Sequence, residues 1–153
     1  MMLTNACKYA IRAVLYLAMY SNETKKVGVK KIAEEVEIPQ PFLAKLLQEL
    51  IRNKLVSSIK GPNGGFFLNK RQKQNSVWDI ITCIDGTKKF DQCFLGLPKC
   101  GDDNPCPVHF MISPFKEKVF GSFREKTIAE FVNEIKNTGK VISLKGLDNY
   151  DEL

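Results

Sequence analysis

The residues with the richest chemistry lie close together in residues 93–109, CFLGLPKCGDDNPCPVH. This stretch contains Cys93, Cys100, Cys106 and the chain's only histidine, His109, in the spacing Cys-x6-Cys-x5-Cys-x2-His. Its glycines and prolines favour an irregular loop, in which several side chains can point inward together. Thiolates select iron–sulfur clusters, zinc or copper(I), and one imidazole nitrogen can complete the ligand set.

Three kinds of site fit this loop: an iron–sulfur cluster, a structural Cys3His zinc, and free thiols that switch by oxidation. Zinc knots usually present ligand pairs about two to four residues apart, and only Cys106 and His109 do so here. The wider spacing of the other cysteines favours a cluster, while zinc and free thiols stay open. Cys7 and Cys83 each lie in an apolar stretch and are predicted core residues.

The class of protein follows from length and cysteine count. A chain of 153 residues permits one domain with a real core, or a small domain with an extension. The start, MMLT, lacks a basic region followed by a long apolar run, and no stretch is apolar enough to span a bilayer. We therefore expect a cytoplasmic protein without membrane contact, in which an odd number of cysteines, 5, argues against a disulfide scaffold.

Positive charge is concentrated in the first half of the chain. Residues 1–75 carry 13 Lys and Arg against 5 Asp and Glu, a balance of +8. Residues 76–153 carry 10 against 12, a balance of −2. This asymmetry indicates an anionic partner for the first half, with a solvated lysine-rich surface as the alternative.

The pattern of residues 1–86 predicts a winged helix-turn-helix domain. Residues 4–20 are largely apolar, with Thr4 placed as the N-cap of a buried helix. Two amphipathic helices follow, one in VGVKKIAEEVEI and one from Pro41 onward, joined by a tight turn. The strand-like runs LVSSIK and FFL flank GPNGG, in which Asn63-Gly64 suits a type I′ turn. Such a domain places its second helix in the major groove of DNA and its hairpin, the wing, on the neighbouring backbone.

The second half is predicted to contain a cysteine-rich loop and further helices. Residues 87–112 form the loop, residues 113–138 form dimerisation helices, and residues 139–153 form a polar tail. The predicted fold is therefore mainly α with a small β-hairpin wing: a winged helix-turn-helix domain followed by a long C-terminal dimerisation helix.

The dimerisation helix is predicted from its start signal and its apolar stripe. Ser113 and Pro114 suit the N-cap and first position of a helix that runs to about Lys126. We expect the stripe to pack on a second subunit, because operators read by this motif usually have two-fold symmetry. Packing on the same chain is the alternative. The stripe consists of Phe115, Val119, Phe120 and Phe123.

Several stretches together resemble one known family: LTNACKYAIRAVLYLA, IAEEVEIPQPFLAKLLQELIRNKLVSSIKGPNGGFFL, VWDIITCIDG and the cysteine triplet. The chain resembles the Rrf-two (Rrf2) superfamily of bacterial transcription regulators, which includes the iron–sulfur cluster regulator, the nitric-oxide-sensing repressor and the cysteine-metabolism regulator. The resemblance implies a homodimeric regulator, expected to be a repressor, that binds a palindromic operator in double-stranded DNA and has no enzymatic activity or small-molecule substrate.

The resemblance also implies a ligand set. Cys93, Cys100 and Cys106 look like ligands of an iron–sulfur cluster, with [2Fe-2S] slightly favoured over [4Fe-4S] and easy loss expected in air. His109 stands where the iron–sulfur cluster regulator has its histidine, so we expect Cys3His ligation, with Cys7 of a second subunit as the alternative. Lys8 occupies the place of the acidic ligand of the nitric-oxide-sensing branch, and an ammonium cannot ligate iron. The first cysteine gap is one residue longer than usual.

Candidate DNA contacts follow from the motif. Base contacts are expected from the start and outer face of the second helix, and phosphate or minor-groove contacts from the wing and from the first helix of the pair. Ala44 replaces an acidic residue of the iron–sulfur cluster regulator, and Lys60 replaces the common wing arginine, so the operator is expected to differ. The predicted contacts are Lys30, Lys31, Gln40, Pro41, Ala44, Lys45, Gln48, Lys60, Asn63 and Gly64.

Three other functions are alternatives to a cluster-sensing regulator. A metal-free or thiol-switched regulator of the same superfamily fits the loop if the thiols themselves are the sensor. A cluster-carrying redox protein fits less well, because the sequence has no nucleotide-binding glycine fingerprint and no second histidine for a catalytic base. A winged-helix adaptor that binds protein instead of DNA is the third.

Overall fold

A central helix, α1 (Asn5–Tyr20), organises residues 3–139, the part of the chain that the computed structural model describes. The predicted tail, residues 139–153, lies outside the described residues except for Gly139. Within residues 3–139, no helix has both the length and the apolar character to cross a membrane. The other elements are α2 (Val29–Val36), α3 (Gln40–Arg52), β1 (Ser57–Ile59), β2 (Gly65–Phe67), α4 (Val77–Ile84), α5 (His109–Glu125) and α6 (Ile128–Thr138).

Small and aliphatic residues let four helices pack around α1. Thr4 caps α1 as predicted, because its side chain accepts a hydrogen bond from the Cys7 amide. Helices α2, α3, α4 and α6 all contact α1, and their apolar faces meet in one core with Ala13 and Leu17 of α1. Helix α6 contributes Ile128 and Val132 to this core, so the C-terminal end of the chain returns to the helix-turn-helix.

The two helices of the motif and the wing form as predicted. Helices α2 and α3 are joined by a turn in which Glu37 takes the left-handed conformation, with φ 54°. Strands β1 and β2 pair antiparallel, and Val27 extends the pairing through two backbone hydrogen bonds to Phe66, of 2.9 and 2.8 Å. The mainly α fold with a small β-hairpin wing is confirmed.

The tip of the wing differs from the predicted type I′ turn. The Gly64 amide donates to the Gly61 carbonyl at 3.0 Å, so the central residues are Pro62 and Asn63. Neither Asn63 nor Gly64 has the positive φ that a type I′ turn requires. Pro62 explains the difference, since its ring sets φ near the value that the first central residue of a type I or II turn needs.

Helix α5 begins earlier than predicted. It starts at His109, with Val108 as N-cap, so Ser113 and Pro114 lie inside the helix. The Ile112 amide already donates to the Val108 carbonyl at 3.0 Å. Pro114 has no amide hydrogen to offer the Phe110 carbonyl, and the helix continues past this missing bond. The prediction from the Ser-Pro pair was therefore wrong, because it began the helix five residues too late.

Candidate metal centre and DNA-binding surface

Three of the four predicted ligands converge. The Sγ atoms of Cys93, Cys100 and Cys106 all lie within 4.8 Å of one another. Cys106 is buried, and Cys93 and Cys100 are half-buried. We call these residues the cysteine triad.

Two local turns gather the cysteine triad. The Gly96 amide donates to the Cys93 carbonyl at 2.9 Å, and Gly96 has a φ of 76°, a conformation that glycine adopts without strain. Gly101 and Asn104 pair through two backbone hydrogen bonds of 3.3 and 3.1 Å, which fold the segment between Cys100 and Cys106 back on itself. The long gaps in the sequence are therefore closed by turns at glycine.

The loop backbone favours a thiolate at Cys93. The amide of Leu97, and to a smaller extent that of Leu95, donates toward the Cys93 sulfur and lowers its pKa to about 7. For Cys100, a hydrogen bond from the Cys106 amide lowers the pKa, but burial and hydrogen bonding with the other two thiols outweigh it and raise the pKa above the usual value. Cys93 therefore loses its proton at a lower pH than Cys100.

His109 lies beside the cysteine triad as the first residue of α5. Its Nδ1 is 3.3 Å from the Cys100 Sγ, and its Nε2 is 2.9 Å from Asp102 Oδ1. The set of atoms that all approach one another within 4.8 Å contains the three sulfurs and neither His109 nitrogen. Sequence reasoning missed Asp102, although an acid between Cys100 and His109 was the available signal.

A cavity of about 190 Å³ adjoins the cysteine triad. Its wall includes a cluster of three aromatic rings: Trp78 of α4, Phe90 just before the loop, and Phe120 of α5. Their ring centroids lie 4.7 to 5.5 Å apart. Lys116 of α5 donates from Nζ to the carbonyls of Phe90 at 3.1 Å and Gln92 at 2.7 Å, just before Cys93. The cysteine loop is therefore anchored to both α4 and α5.

The residues present fit an iron–sulfur cluster or another thiophilic metal. Three sulfurs converge, backbone amides donate toward two of them, and an imidazole nitrogen lies next to Cys100. Iron–sulfur clusters are held by thiolates, and hydrogen bonds to the sulfurs tune their potential. The three converging sulfurs belong to predicted ligands, and His109 contacts one of them, Cys100; its role as a fourth ligand stays a prediction.

The other two cysteines are not part of the cysteine triad. Cys7 is fully buried in an apolar cluster, and burial raises its pKa to about 12. Cys83 is half-buried, its Sγ lies 3.9 Å from the Glu49 carbonyl, and burial raises its pKa as well. Cys7 is a core residue as predicted, which removes the support for Cys7 as a ligand for a second subunit's metal.

The predicted DNA contacts lie on α2, on α3 and in the wing. All of them are exposed except Ala44 and Gly64, which are half-buried. Lys31 is engaged by Glu35 at 3.0 Å, which partly offsets its charge. At Gly64 a Cβ would lie 2.0 Å from the Ile59 carbonyl oxygen, so the close approach of the wing backbone requires glycine there. The roles of these residues in DNA binding stay predictions.

The predicted dimerisation stripe divides into two parts. Phe120 is buried in its own chain against Trp78 and Phe90, and Val119 and Phe123 pack partly against the same cluster. Phe115 is 54% exposed. Helix α5 also carries Phe110 and Met111, which are 64% and 75% exposed and which sequence reasoning missed because it began the helix too late. The exposed apolar face of α5 is therefore Phe110, Met111 and Phe115.

Comparison with known proteins assigns the family. The family model Rrf2, described as an iron-dependent transcriptional regulator, matches residues 3–134. The chain belongs to the Rrf2 family. It is 32% identical over 133 residues to the HTH-type transcriptional regulator IscR of Serratia proteamaculans, covering 87% of this chain and 80% of that one. It is 38% identical over 135 residues, 87% of this chain and 92% of the other, to a protein of Aquifex aeolicus named as an HTH-type transcriptional regulator.

Solved structures of Rrf2 regulators share the fold. The structure of CymR (YrzC), the global cysteine regulator of B. subtilis, superposes with a TM-score of 0.69 at 19% identity, covering 88% of this chain and 98% of that one. The structure of T. potens IscR gives a TM-score of 0.69 at 20% identity, covering 92% and 93%. Regulators of the Rrf2 family are non-enzymatic DNA-binding proteins, so this chain is a transcriptional regulator and not an enzyme.

Proposed function

We propose that this Rrf2 regulator acts in the cytoplasm as a homodimeric repressor that binds a palindromic operator and senses iron–sulfur, redox or nitric-oxide status through an iron–sulfur cluster. The convergence of the Cys93, Cys100 and Cys106 sulfurs within 4.8 Å carries the sensing part of this proposal. Cys93, Cys100, Cys106 and His109 would hold the cluster, with a [2Fe-2S] form favoured. When bound, such a cluster supplies a centre that oxidants and nitric oxide alter.

Contacts between the cysteine loop and α5 provide a route by which a change in the loop would alter α5. Lys116 links α5 to the carbonyls of Phe90 and Gln92 at the start of the loop, and His109 is both the end of the loop and the first residue of α5. The exposed apolar face of α5, which would contact the second subunit, begins one residue later at Phe110. Release of the loop would therefore disturb the N-terminal end of α5. Because this end would contact the second subunit, the spacing of the two α3 helices in the dimer would change as well.

The DNA-binding part rests on the exposed surface of α3 and the wing. Gln40, Pro41, Lys45 and Gln48 would face base edges in the major groove, with half-buried Ala44 among them. Lys30, Lys31, Lys60, Asn63 and Gly64 would approach phosphates or the minor groove. The exposed lysines in this set match the excess of positive charge in residues 1–75.

Anaerobic purification tests cluster binding. We expect brown protein with stoichiometric iron and sulfide, and visible absorption that is lost in Cys93→Ala while circular dichroism still reports a folded protein. Cys83→Ala is the matched control, because it removes a half-buried thiol outside the cysteine triad, and it should keep the colour. A colourless, metal-free wild-type sample would contradict the proposal and favour a metal-free or thiol-switched regulator.

Gel retardation tests DNA binding separately. The protein should retard its own promoter fragment, with an affinity that falls steeply as salt rises, because phosphate neutralisation releases counterions. Lys60→Ala should lower the salt slope by about 1, as expected for the loss of one phosphate contact. Failure to retard any promoter fragment at low salt would favour a winged-helix adaptor that binds protein.

A further inference from the structure

The contact between Asp102 and His109 constrains the imidazole. His109 Nε2 lies 2.9 Å from Asp102 Oδ1, whereas Nδ1 lies 3.3 Å from the Cys100 Sγ. The two ring nitrogens thus point at different groups, one at a carboxylate and one at the cysteine triad. No other histidine exists in the chain to share either role.

Simple chemistry assigns the proton of the neutral ring. A carboxylate has only acceptor oxygens, so the hydrogen bond to Asp102 requires a hydrogen on Nε2. In the neutral imidazole the lone pair is then on Nδ1, the nitrogen beside Cys100. A metal is bound by the lone pair of one imidazole nitrogen. At metal sites, a hydrogen bond from the other ring nitrogen commonly fixes the orientation of the ring.

We propose that Asp102 is a positioning residue, which orients His109 so that Nδ1 is the nitrogen offered to a metal held by the cysteine triad. This inference rests on the proposed function, because it assumes that the loop binds a metal centre. It goes beyond the ligand set by naming the ligating nitrogen and the group that selects it.

The exposure of the two side chains supports this division of roles. The His109 side chain is only 17% exposed, while that of Asp102 is 87% exposed. The ring of Phe110 meets His109 edge-on, with centroids 5.1 Å apart, and limits its rotation from another side. Because Asp102 lies at the surface and fills no space in the core, its removal should leave the loop folded and change the histidine alone.

The single histidine makes the test specific. The protein is expressed with histidine labelled with 15N at Nδ1 or, in parallel, at Nε2, so every signal comes from His109. Long-range 1H–15N NMR of the metal-free protein reports which nitrogen carries hydrogen. Pulsed EPR of the anaerobically reconstituted and reduced protein reports which nitrogen couples strongly to the cluster.

In the wild type we expect hydrogen on Nε2 in the metal-free protein and strong coupling from Nδ1 in the loaded protein. Asp102→Ala should give a mixture of tautomers and a nitrogen coupling that is either split between Nδ1 and Nε2 or lost. In competition with a chelator, the variant should hold iron roughly 10-fold more weakly than the wild type. Asp102→Glu keeps an acceptor-only carboxylate and should largely restore the Nδ1 signals. Asp103→Ala removes a carboxylate one residue away and should match the wild type.

The outcomes separate this inference from the proposed function. A wild-type cluster coupled through Nε2, or Asp102→Ala spectra identical to the wild type, would overturn the role of Asp102 while leaving cluster binding intact. Absence of any cluster in the wild type would defeat both, and iron and sulfide analysis of the same sample detects that case.

Discussion

At the scale of single residues, Asp85 shows how one carboxylate can connect two helices. It ends α4 and accepts hydrogen bonds from the amide of Thr4, at 3.0 Å, and from the Thr4 hydroxyl, so it anchors the start of α1. Lys89 contacts the same carboxylate. Burial alone would raise the pKa of Asp85, but the hydrogen bonds from Lys89 and Thr4 outweigh it and hold the pKa below its usual value.

Asp85→Asn should lower the free energy of unfolding by roughly 1–3 kcal/mol at pH 7, because hydrogen bonds to a charged acceptor are lost. The pKa of this carboxylate is lower in the folded state than in the unfolded state. Its stabilising effect is therefore fully present above the unfolded-state pKa of about 4 and is lost as the pH falls through the folded-state pKa. Urea unfolding should therefore show the variant's deficit at pH 7 shrinking below about pH 4. Glu125→Gln removes an exposed carboxylate and should show no such deficit. An equal deficit at all pH values would contradict the charge-based explanation.

At the scale of elements, α5 organises the cysteine loop. It contributes His109 to the site, Lys116 to the loop carbonyls and Phe120 to the aromatic cluster behind the cavity. The loop itself has little regular structure of its own between Asp91 and Pro107. Its order therefore depends on contacts with α4 and α5 and on turns at glycine.

Lys116→Met should loosen the loop without unfolding the winged helix. The ammonium caps two carbonyls, and a methionine fills similar volume without donating a hydrogen bond. Hydrogen exchange of the metal-free protein should show faster exchange of amides in residues 91–99 and unchanged protection in α1. Lys118→Met on the same helix, where the lysine is exposed, is the control. Unchanged exchange in residues 91–99 would show that Lys116 is not the anchor.

At the scale of the whole molecule, α5 leaves an apolar face uncovered by its own chain. Phe110, Met111 and Phe115 are all more than half exposed on one helix. Exposed apolar patches of this kind commonly mark interaction sites. The proposed homodimer would cover this face, and reading two half-sites would depend on it.

Phe115→Glu should convert the proposed dimer into a monomer, because it would place a charge in an apolar contact. Light scattering coupled to size exclusion should report half the wild-type mass, and operator affinity should fall at least 10-fold. Ile59→Glu introduces the same charge at an exposed apolar residue of the wing and should leave the mass unchanged. A monomeric wild type, or a dimeric Phe115→Glu variant, would contradict the role of this face.

Most of the element order was predictable from local patterns. Apolar periodicity predicts the helices of the motif, and Thr4 predicts the start of α1. These predictions succeed because caps and periodicity act between residues a few positions apart. The cysteine spacing likewise predicts a thiol site, and the structure brings the three sulfurs together.

Other features were decided only by tertiary structure. A periodic stripe shows which side of a helix is apolar but not what covers it, so Phe120 packs on its own chain while Phe115 stays exposed. The contact of Asp85 with Thr4 joins residues 81 positions apart, and the contact of Asp102 with His109 depends on how the irregular loop folds back onto the start of α5. The sequence by itself determined the kind of elements and the donor atoms, because both are properties of short stretches. The folded chain determined which faces are buried and which nitrogen of His109 faces Cys100, because both depend on three-dimensional packing that local sequence patterns do not encode.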